Sequence, residues 1–206
     1  MSEKNHWDHI YTSKKSDEVS WFQPHAFASL ELIKKLESNT DANIVDVGGG
    51  ASMLVDDLLS SGYTNLKVLD ISSAALDVAK SRLGEKANIV EWMVEDVTKF
   101  SASKHSIDLW HDRAVFHFLN DPKQRENYVK AVLNAVKPGG HVIISTFSLD
   151  GPVECSGLPV ERYDAKSLHK QFGEPFILLG HEYEAHQTPF GTNQKFIYCY
   201  CRVVNS

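Results

Sequence analysis

The sequence predicts an α/β fold: a doubly wound, mostly parallel sheet with helices on both faces and antiparallel strands at its C-terminal end. Three observations predict it. Short apolar runs alternate with segments of helical period between residues 43 and 147. Two strand-like segments, Pro175–Glu184 and Lys195–Val203, close the chain with no long helix between them. With 206 residues, 42% hydrophobic and 23% charged, the chain fits one soluble unit that can bury a core without disulfides.

The elements follow in order. A helix is expected near Pro24–Leu36, with Pro24 suited to its first turn. Asn43–Val47 is a short apolar strand that runs into glycines. Met53–Ser60 places Leu54, Val55, Leu58 and Leu59 at helical spacing. Leu66–Ile71 is the second strand. Ser73–Leu83 is a helix with Leu76, Ala79 and Leu83 on one stripe. Ile89–Val94 and Ile107–Trp110 are the third and fourth strands. Gln124–Val136 is a helix with Val129, Val132, Leu133 and Val136 aligned, and His141–Phe147 is the fifth strand. Alternation of this kind argues for a parallel sheet covered by helices. Right-handed crossovers bring the loops after each strand to one edge, where open α/β sheets bind ligands. No second domain is expected, so 1–206 reads as one domain.

Composition excludes several classes. Lys+Arg is 21 and Asp+Glu 27, a formal charge of −6, and no Lys/Arg run exceeds two residues. A phosphate-neutralising patch is not visible, so no nucleic-acid partner is expected. No apolar run approaches the roughly 18 residues of a membrane span, so no membrane partner is expected. The start, MSEKNHWDHIY, has no apolar core of a secretory signal. Three cysteines make no disulfide framework, which suggests a reducing, cytoplasmic setting. Cys199 and Cys201 alternate on one face of a strand and read as small core residues. The ten histidines show no metal spacing, so no metal is expected.

The strongest local signal is Val45-Asp46-Val47-Gly48-Gly49-Gly50-Ala51-Ser52. A strand enters three glycines and a helix follows. Glycine lets the backbone turn sharply and lets a ligand approach it closely. Asp70 closes the second strand, where a carboxylate can accept both hydroxyls of a ribose, while Ser72 is placed to cap the next helix. A dinucleotide fingerprint would want a third glycine where Met53 stands, which counts against a nicotinamide cofactor.

With these residues in place, the stretch from Ile44 to Phe147 resembles the class I S-adenosylmethionine (SAM) dependent methyltransferases. VDVGGGAS resembles their first motif, LDIS (with Asp70 and Ile71) the ribose-binding segment, and Glu95-Asp96-Val97 the segment that frames the adenine. DLWHDRAVFH resembles the fourth strand and its loop, near the methionine end of the cofactor. Lys137-Pro138-Gly139-Gly140 resembles the turn into the fifth strand. The resemblance implies a seven-stranded sheet with an antiparallel last strand, SAM as cofactor, and methyl transfer as the activity. It implies cofactor contacts at Asp46, Gly48, Gly49, Gly50, Asp70, Ile71, Asp96 and Val97, and at His111, Asp112 and Arg113. It also implies that residues 1–23 form a lid in which Tyr11 and Trp21 shield the sulfonium.

Transfer from a sulfonium needs alignment more than a base, so no catalytic residue is demanded. His117 and Tyr163 are the weak candidates. The long loop Ser148–Tyr163, with Cys155 and Arg162, and the segment His186–Phe196 are expected near the acceptor. The expected acceptor is a small molecule or a protein side chain. A NAD(P)-dependent oxidoreductase and a non-catalytic SAM-binding module are the alternatives. The acceptor atom, the pathway and the oligomeric state are left open.

Overall fold

Residues 3–204 are described by a computed structural model. The chain opens with helices α1 (Glu3–Ser13) and α2 (Phe27–Leu36). Then come β1 (Ile44–Val47), α3 (Leu54–Ser60), β2 (Leu66–Asp70), α4 (Ser73–Leu83) and β3 (Val90–Val94). β4 (Ile107–Arg113), α5 (Pro122–Ala135) and β5 (Val136–Phe147) complete the alternating part. A small hairpin, β6 (Glu154–Cys155) and β7 (Leu158–Pro159), precedes α6 (Ala165–Phe172). β8 (Phe176–Gln187) and β9 (Asn193–Val203) end the chain.

Seven strands form one sheet in the order β3-β2-β1-β4-β5-β9-β8. The first five are parallel, and β9 runs antiparallel to both β5 and β8. All four residues of β1 are buried, as a central parallel strand covered on both faces requires. One core layer packs Trp110, Tyr128, Val132 and Phe172 beneath α5 and α6. The other packs Leu30, Ile33, Leu54, Leu58 and Leu76 beneath α2, α3 and α4. The order reverses between β1 and β4, so their carboxyl ends diverge there and leave a crevice. Register places Val47 beside Leu69 and Asp112, which sets Gly48, Asp70 and Arg113 on the same edge.

Several expectations are corrected. α2 starts at Phe27, three residues after Pro24, because the chain bends through residues 24 and 25 before turning helical. On α5 the buried stripe is Tyr128, Ala131, Val132 and Ala135, with Val129 and Leu133 at its margin; the large Tyr128 ring, not the β-branched residues, centres the contact. α1 and α6 are helices at segments to which the sequence reading assigns no element. α6 carries its own signal, a capping box in which the Asp164 side chain accepts from Ser167 N and Ser167 Oγ accepts from Asp164 N. The expected one-domain span 1–206 and lid 1–23 include residues 1, 2, 205 and 206, which lie outside the described residues.

Candidate functional site

The glycine turn at the end of β1 is built to hold something close. Gly48 has φ +67°, and a Cβ there would lie 2.0 Å from Val115 Cγ2. A Cβ on Gly49 would lie 2.5 Å from Asp46 Oδ2, and one on Gly50 2.7 Å from Asp70 Oδ2. No other residue type fits at these three positions without displacing a carboxylate or a core side chain.

Two cavities open on this turn. The larger is about 1090 Å³ of space counted out into its open mouth. Gly48, Asp70, Ile71, Asp96 and Val97 line it together with Trp7, Tyr11, Trp21, Phe118 and Leu158. The smaller, about 570 Å³, holds Asp46, Gly49, Ser29 and His111. Gly48, Tyr11, Trp21 and Arg113 line both, so the two are neighbouring compartments.

The acids at this edge differ in state. Asp70 is 7% exposed and accepts from Ser72 N at 2.8 Å. Burial, with the charges of Asp46 and Asp8 nearby, pushes it up to about 7. Asp46 Oδ1 meets His111 Nδ1 at 2.7 Å, while its Oδ2 is buried with no partner. His111 Nε2 faces Ser29 Oγ at 2.9 Å, so the ring bridges Asp46 and Ser29. Asp96 accepts from Thr98 N and Oγ1 and pairs with Lys99 at 2.9 Å. Burial would raise it, but Lys99 and Thr98 outweigh that and hold it low. Asp112 is fully buried and accepts from Tyr128 OH, Val115 N and Phe116 N. Burial still lifts it to about 6.

Arg113 is held from the far end of the chain. Its Nη2 donates to Glu184 Oε2 at 3.1 Å, its Nε to Tyr198 OH at 3.0 Å, and its Nη1 to the Trp21 carbonyl at 3.4 Å. The guanidinium also lies 4.2 Å from the centre of the Phe196 ring.

α1 covers the large cavity. Glu3, Trp7 and Tyr11, spaced by four residues, all line it from one helix face. The Asp8 carboxylate accepts from Ser72 Oγ at 2.7 Å and lies 3.5 Å from Ala74 N, at the first turn of α4. An anion at a helix N-terminus is favoured there by the unpaired N–H groups and the helix dipole. Trp7 meets Trp21 and Phe118 edge-on at 5.7 and 5.1 Å.

Of the residues expected at the site, Tyr11, Trp21, Gly48, Asp70, Ile71, Asp96, Val97 and Arg113 meet in the large cavity, and Asp46, Gly49 and His111 in the small one. Gly50, Asp112, His117 and Tyr163 line neither. His117 is fully buried, its Nδ1 accepting from Phe147 N, and burial drops it to about 3. Tyr163 packs on Phe116 in the core. Arg162 donates to the Leu149 and Gly151 carbonyls, and Phe190 of the β8–β9 turn is 65% exposed; neither reaches a cavity. Of the long loop, Cys155, Leu158 and Pro159 do. Asp8, Trp7, Glu184 and Ser29 were not singled out as site residues. The i, i+4 spacing of Glu3, Trp7 and Tyr11 was the legible signal for Trp7, and Asp8 stands beside it on the same helix. Glu184 and Ser29 gave none, since they reach the site only through tertiary packing. Among the described residues no cluster of three or more His, Cys, Asp or Glu side chains could hold a metal, and no helix is long and apolar enough to cross a membrane.

Comparison with known proteins agrees with this geometry. Residues 44–140 match a family described as a methyltransferase domain. The chain is similar to malonyl-[acyl-carrier protein] O-methyltransferase 1 of Ilyobacter polytropus, 31% identical over 137 residues that cover 66% of this chain. It spans only 48% of that relative's length. It is also similar to EEF1A lysine methyltransferase 2 of Danio rerio, 27% identical over 162 residues, 71% of this chain and 69% of the relative. Among solved structures, a SAM-dependent methyltransferase of Methanosarcina mazei superposes with a TM-score of 0.71 at 18% identity, covering 85% of this chain and 98% of its own, a likeness of fold.

Proposed function

Since the chain belongs to the class I SAM-dependent methyltransferases, by its domain match and its sheet order, we propose that it transfers a methyl group from SAM to a small-molecule or protein side-chain acceptor. The observation that carries this reading is the glycine turn: a backbone cradle that any Cβ would fill, flanked by an unpartnered buried Asp46 oxygen and by Asp70. These residues fit SAM. Asp70 would accept from the ribose hydroxyls, and Val97 and Asp96 would frame the adenine. Gly48, Asp46 and Arg113 would take the amino-acid end, the Asp46 carboxylate facing its ammonium and the arginine its carboxylate. Bound there, the cofactor supplies an activated methyl on a sulfonium, whose charge suits the aromatic faces of Tyr11 and Trp21. His111 and Asp112 act behind this layer. The first holds Asp46 in place and the second fixes the turn after β4 through Val115 N and Phe116 N.

α1 and the residues up to 23 act as a lid. Their part is to exclude water and align the acceptor, which can be worth several kcal/mol of barrier without a base. The lid also favours a small molecule over a bulky partner, because α1 and the β6–β7 hairpin both border the cavity. Three free, buried cysteines suit a reducing, cytoplasmic setting.

The test is calorimetric titration of the purified protein with SAM, S-adenosylhomocysteine and NADH. Micromolar binding of both adenosyl ligands and none of NADH is expected. NADH binding alone overturns the reading. Trp21→Ala is expected to lower turnover at least tenfold while shifting Tm by only a few degrees, since the ring faces the cavity. A Tm loss that matches the activity loss would make Trp21 a core residue instead.

A further inference from the structure

Resting on the SAM reading, we propose that Tyr198 is a positioning residue for the cofactor's carboxylate: its buried phenol holds the Arg113 guanidinium in the pose that receives it. Tyr198 is 1% exposed and lines neither cavity, so it acts on a ligand only through a neighbour. Sheet register supplies that neighbour. Arg113 on β4 stands opposite Ser145 on β5, and Ser145 opposite Tyr198 on β9. Partners across a ladder share a face, so the three side chains form one row. β4 and β9 are two strand spacings apart, roughly 9.5 Å, a gap that a long side chain can cross. Ser145 is the small residue beneath the crossing, and its buried Oγ finds no partner among the described residues.

The phenol sits between the guanidinium and its counter-ion. Arg113 Nε donates to Tyr198 OH at 3.0 Å, and Tyr198 OH donates to Glu184 Oε2 at 3.1 Å. Burial raises the phenol's pKa although Arg113 lowers it, so the proton that it donates stays in place at neutral pH. Glu184 Oε2 lies 3.4 Å from Nε and 3.1 Å from Nη2, and Nη1 reaches the Trp21 carbonyl at 3.4 Å. These bonds use three of the five N–H groups of a guanidinium and leave one on each Nη for a carboxylate. Without the phenol, Nε has Glu184 as its acceptor. The two charges then close into a two-point pair and draw the fork towards β8.

Tyr198 OH also lies 3.4 Å from Ser29 Oγ, and Ser29 faces His111, which meets Asp46. Arg113 and Asp46, both of which line the smaller cavity, are thus the two ends of one buried polar chain. Its longest link is Ser29–Tyr198, and an O–H bond of that length is weak. Loss of the phenol is therefore felt at Arg113, the carboxylate end, and little at Asp46, the ammonium end.

The experiment is calorimetry of the full chain, wild type and Tyr198→Phe, with three ligands. They are S-adenosylhomocysteine, S-adenosyl-3-thiopropylamine, which lacks only the carboxylate, and 5′-methylthioadenosine, which lacks the whole amino-acid end. Wild type should bind S-adenosylhomocysteine more tightly than the amine. Tyr198→Phe should bind S-adenosylhomocysteine about tenfold more weakly, the factor that one lost hydrogen bond to a charged group makes. The other two ligands should change by no more than about twofold, and Tm by a few degrees. A merely structural role would weaken all three ligands alike. That result, an unchanged affinity for S-adenosylhomocysteine, or a wild type that binds it no more tightly than the amine would each overturn the proposal. If Tyr198→Phe does not fold, Ser145→Val carries the test. It suits a strand and keeps the phenol but fills the crossing, so the same selective loss is expected and its absence overturns the proposal. A wild type that binds neither S-adenosylhomocysteine nor 5′-methylthioadenosine would instead overturn the SAM reading beneath it.

Discussion

Asp70→Asn is expected to bind SAM about a hundredfold more weakly while melting several degrees higher than the parent at pH 8 in the ligand-free form. Both effects come from one buried carboxylate. Burial first, then the charges of Asp46 and Asp8, lift it from 3.8 to about 7. The folded state therefore holds this proton between pH 4 and 7 while the unfolded chain has released it. Stability contributed by the group is full below about pH 4 and declines as pH rises to about 7. Three units at 1.36 kcal/mol each bound that loss at about 4 kcal/mol. Asparagine carries no charge and keeps an oxygen for Ser72 N, so the variant lacks the slope. At about 2–4 °C per kcal/mol for a chain of this size, the gain is easily measured. Binding moves the other way, because hydrogen bonds from two ribose hydroxyls to a charged group are worth roughly 1.5–3 kcal/mol each. The wild-type Kd should accordingly tighten between pH 6 and 8 as Asp70 ionises. Melting curves from pH 4 to 9 and calorimetry of the two proteins check this. An unchanged Kd removes Asp70 from the ribose role, and a lower Tm at pH 8 removes the stored repulsion.

Glu184→Ala is expected to lower Tm by about 6–20 °C. The Glu184 side chain is 15% exposed, and its carboxylate accepts from Gln23 Nε2, Arg113 and Tyr198 OH. Burial would raise it, but the Arg113 ion pair and these donors outweigh that and hold it low. Its removal leaves the Arg113 guanidinium with only a phenol and a carbonyl in a buried place. Breaking one side of such a pair costs about 3–5 kcal/mol, which the size scaling converts to that shift. Glu184→Gln, which keeps an acceptor oxygen, should lose less. The carboxylate's contribution is present above its ordinary value near 4.5 and is lost as pH falls below that. The difference in Tm between parent and variant should therefore shrink in acid. A shift under 2 °C at pH 7 would show that Arg113 is solvated without Glu184. Arg113 borders both cavities, so weaker SAM binding should accompany the loss.

These two residues mark what could and could not be read from the chain. Asp70 is local information: a carboxylate that ends a strand after a glycine turn has its position fixed by strand order and register. The same holds for Asp46, Gly48 and Val97, which lie within three residues of a strand end on the ligand edge. Arg113 was legible as a position but not as a partner. Glu184 lies 71 residues away and meets it because β8 and β9 fold back beside β5. His111 likewise reads as a residue that follows the fourth strand, yet β4 runs three residues further than its apolar run and buries it against Asp46 and Ser29. α1 escaped because its buried face is one isoleucine and a line of aromatic and acidic residues facing a cavity, not a hydrophobic stripe.

The sequence by itself determined the alternation of strands and helices, the antiparallel pair at the C-terminal end and the cofactor edge, since apolar period, glycine placement and strand-end acids are properties of neighbouring residues. Only the tertiary structure decided which charges are paired, which histidines are buried and which side chains meet around the cavity. Those depend on desolvation and on contacts between segments more than sixty residues apart, and no local pattern encodes them.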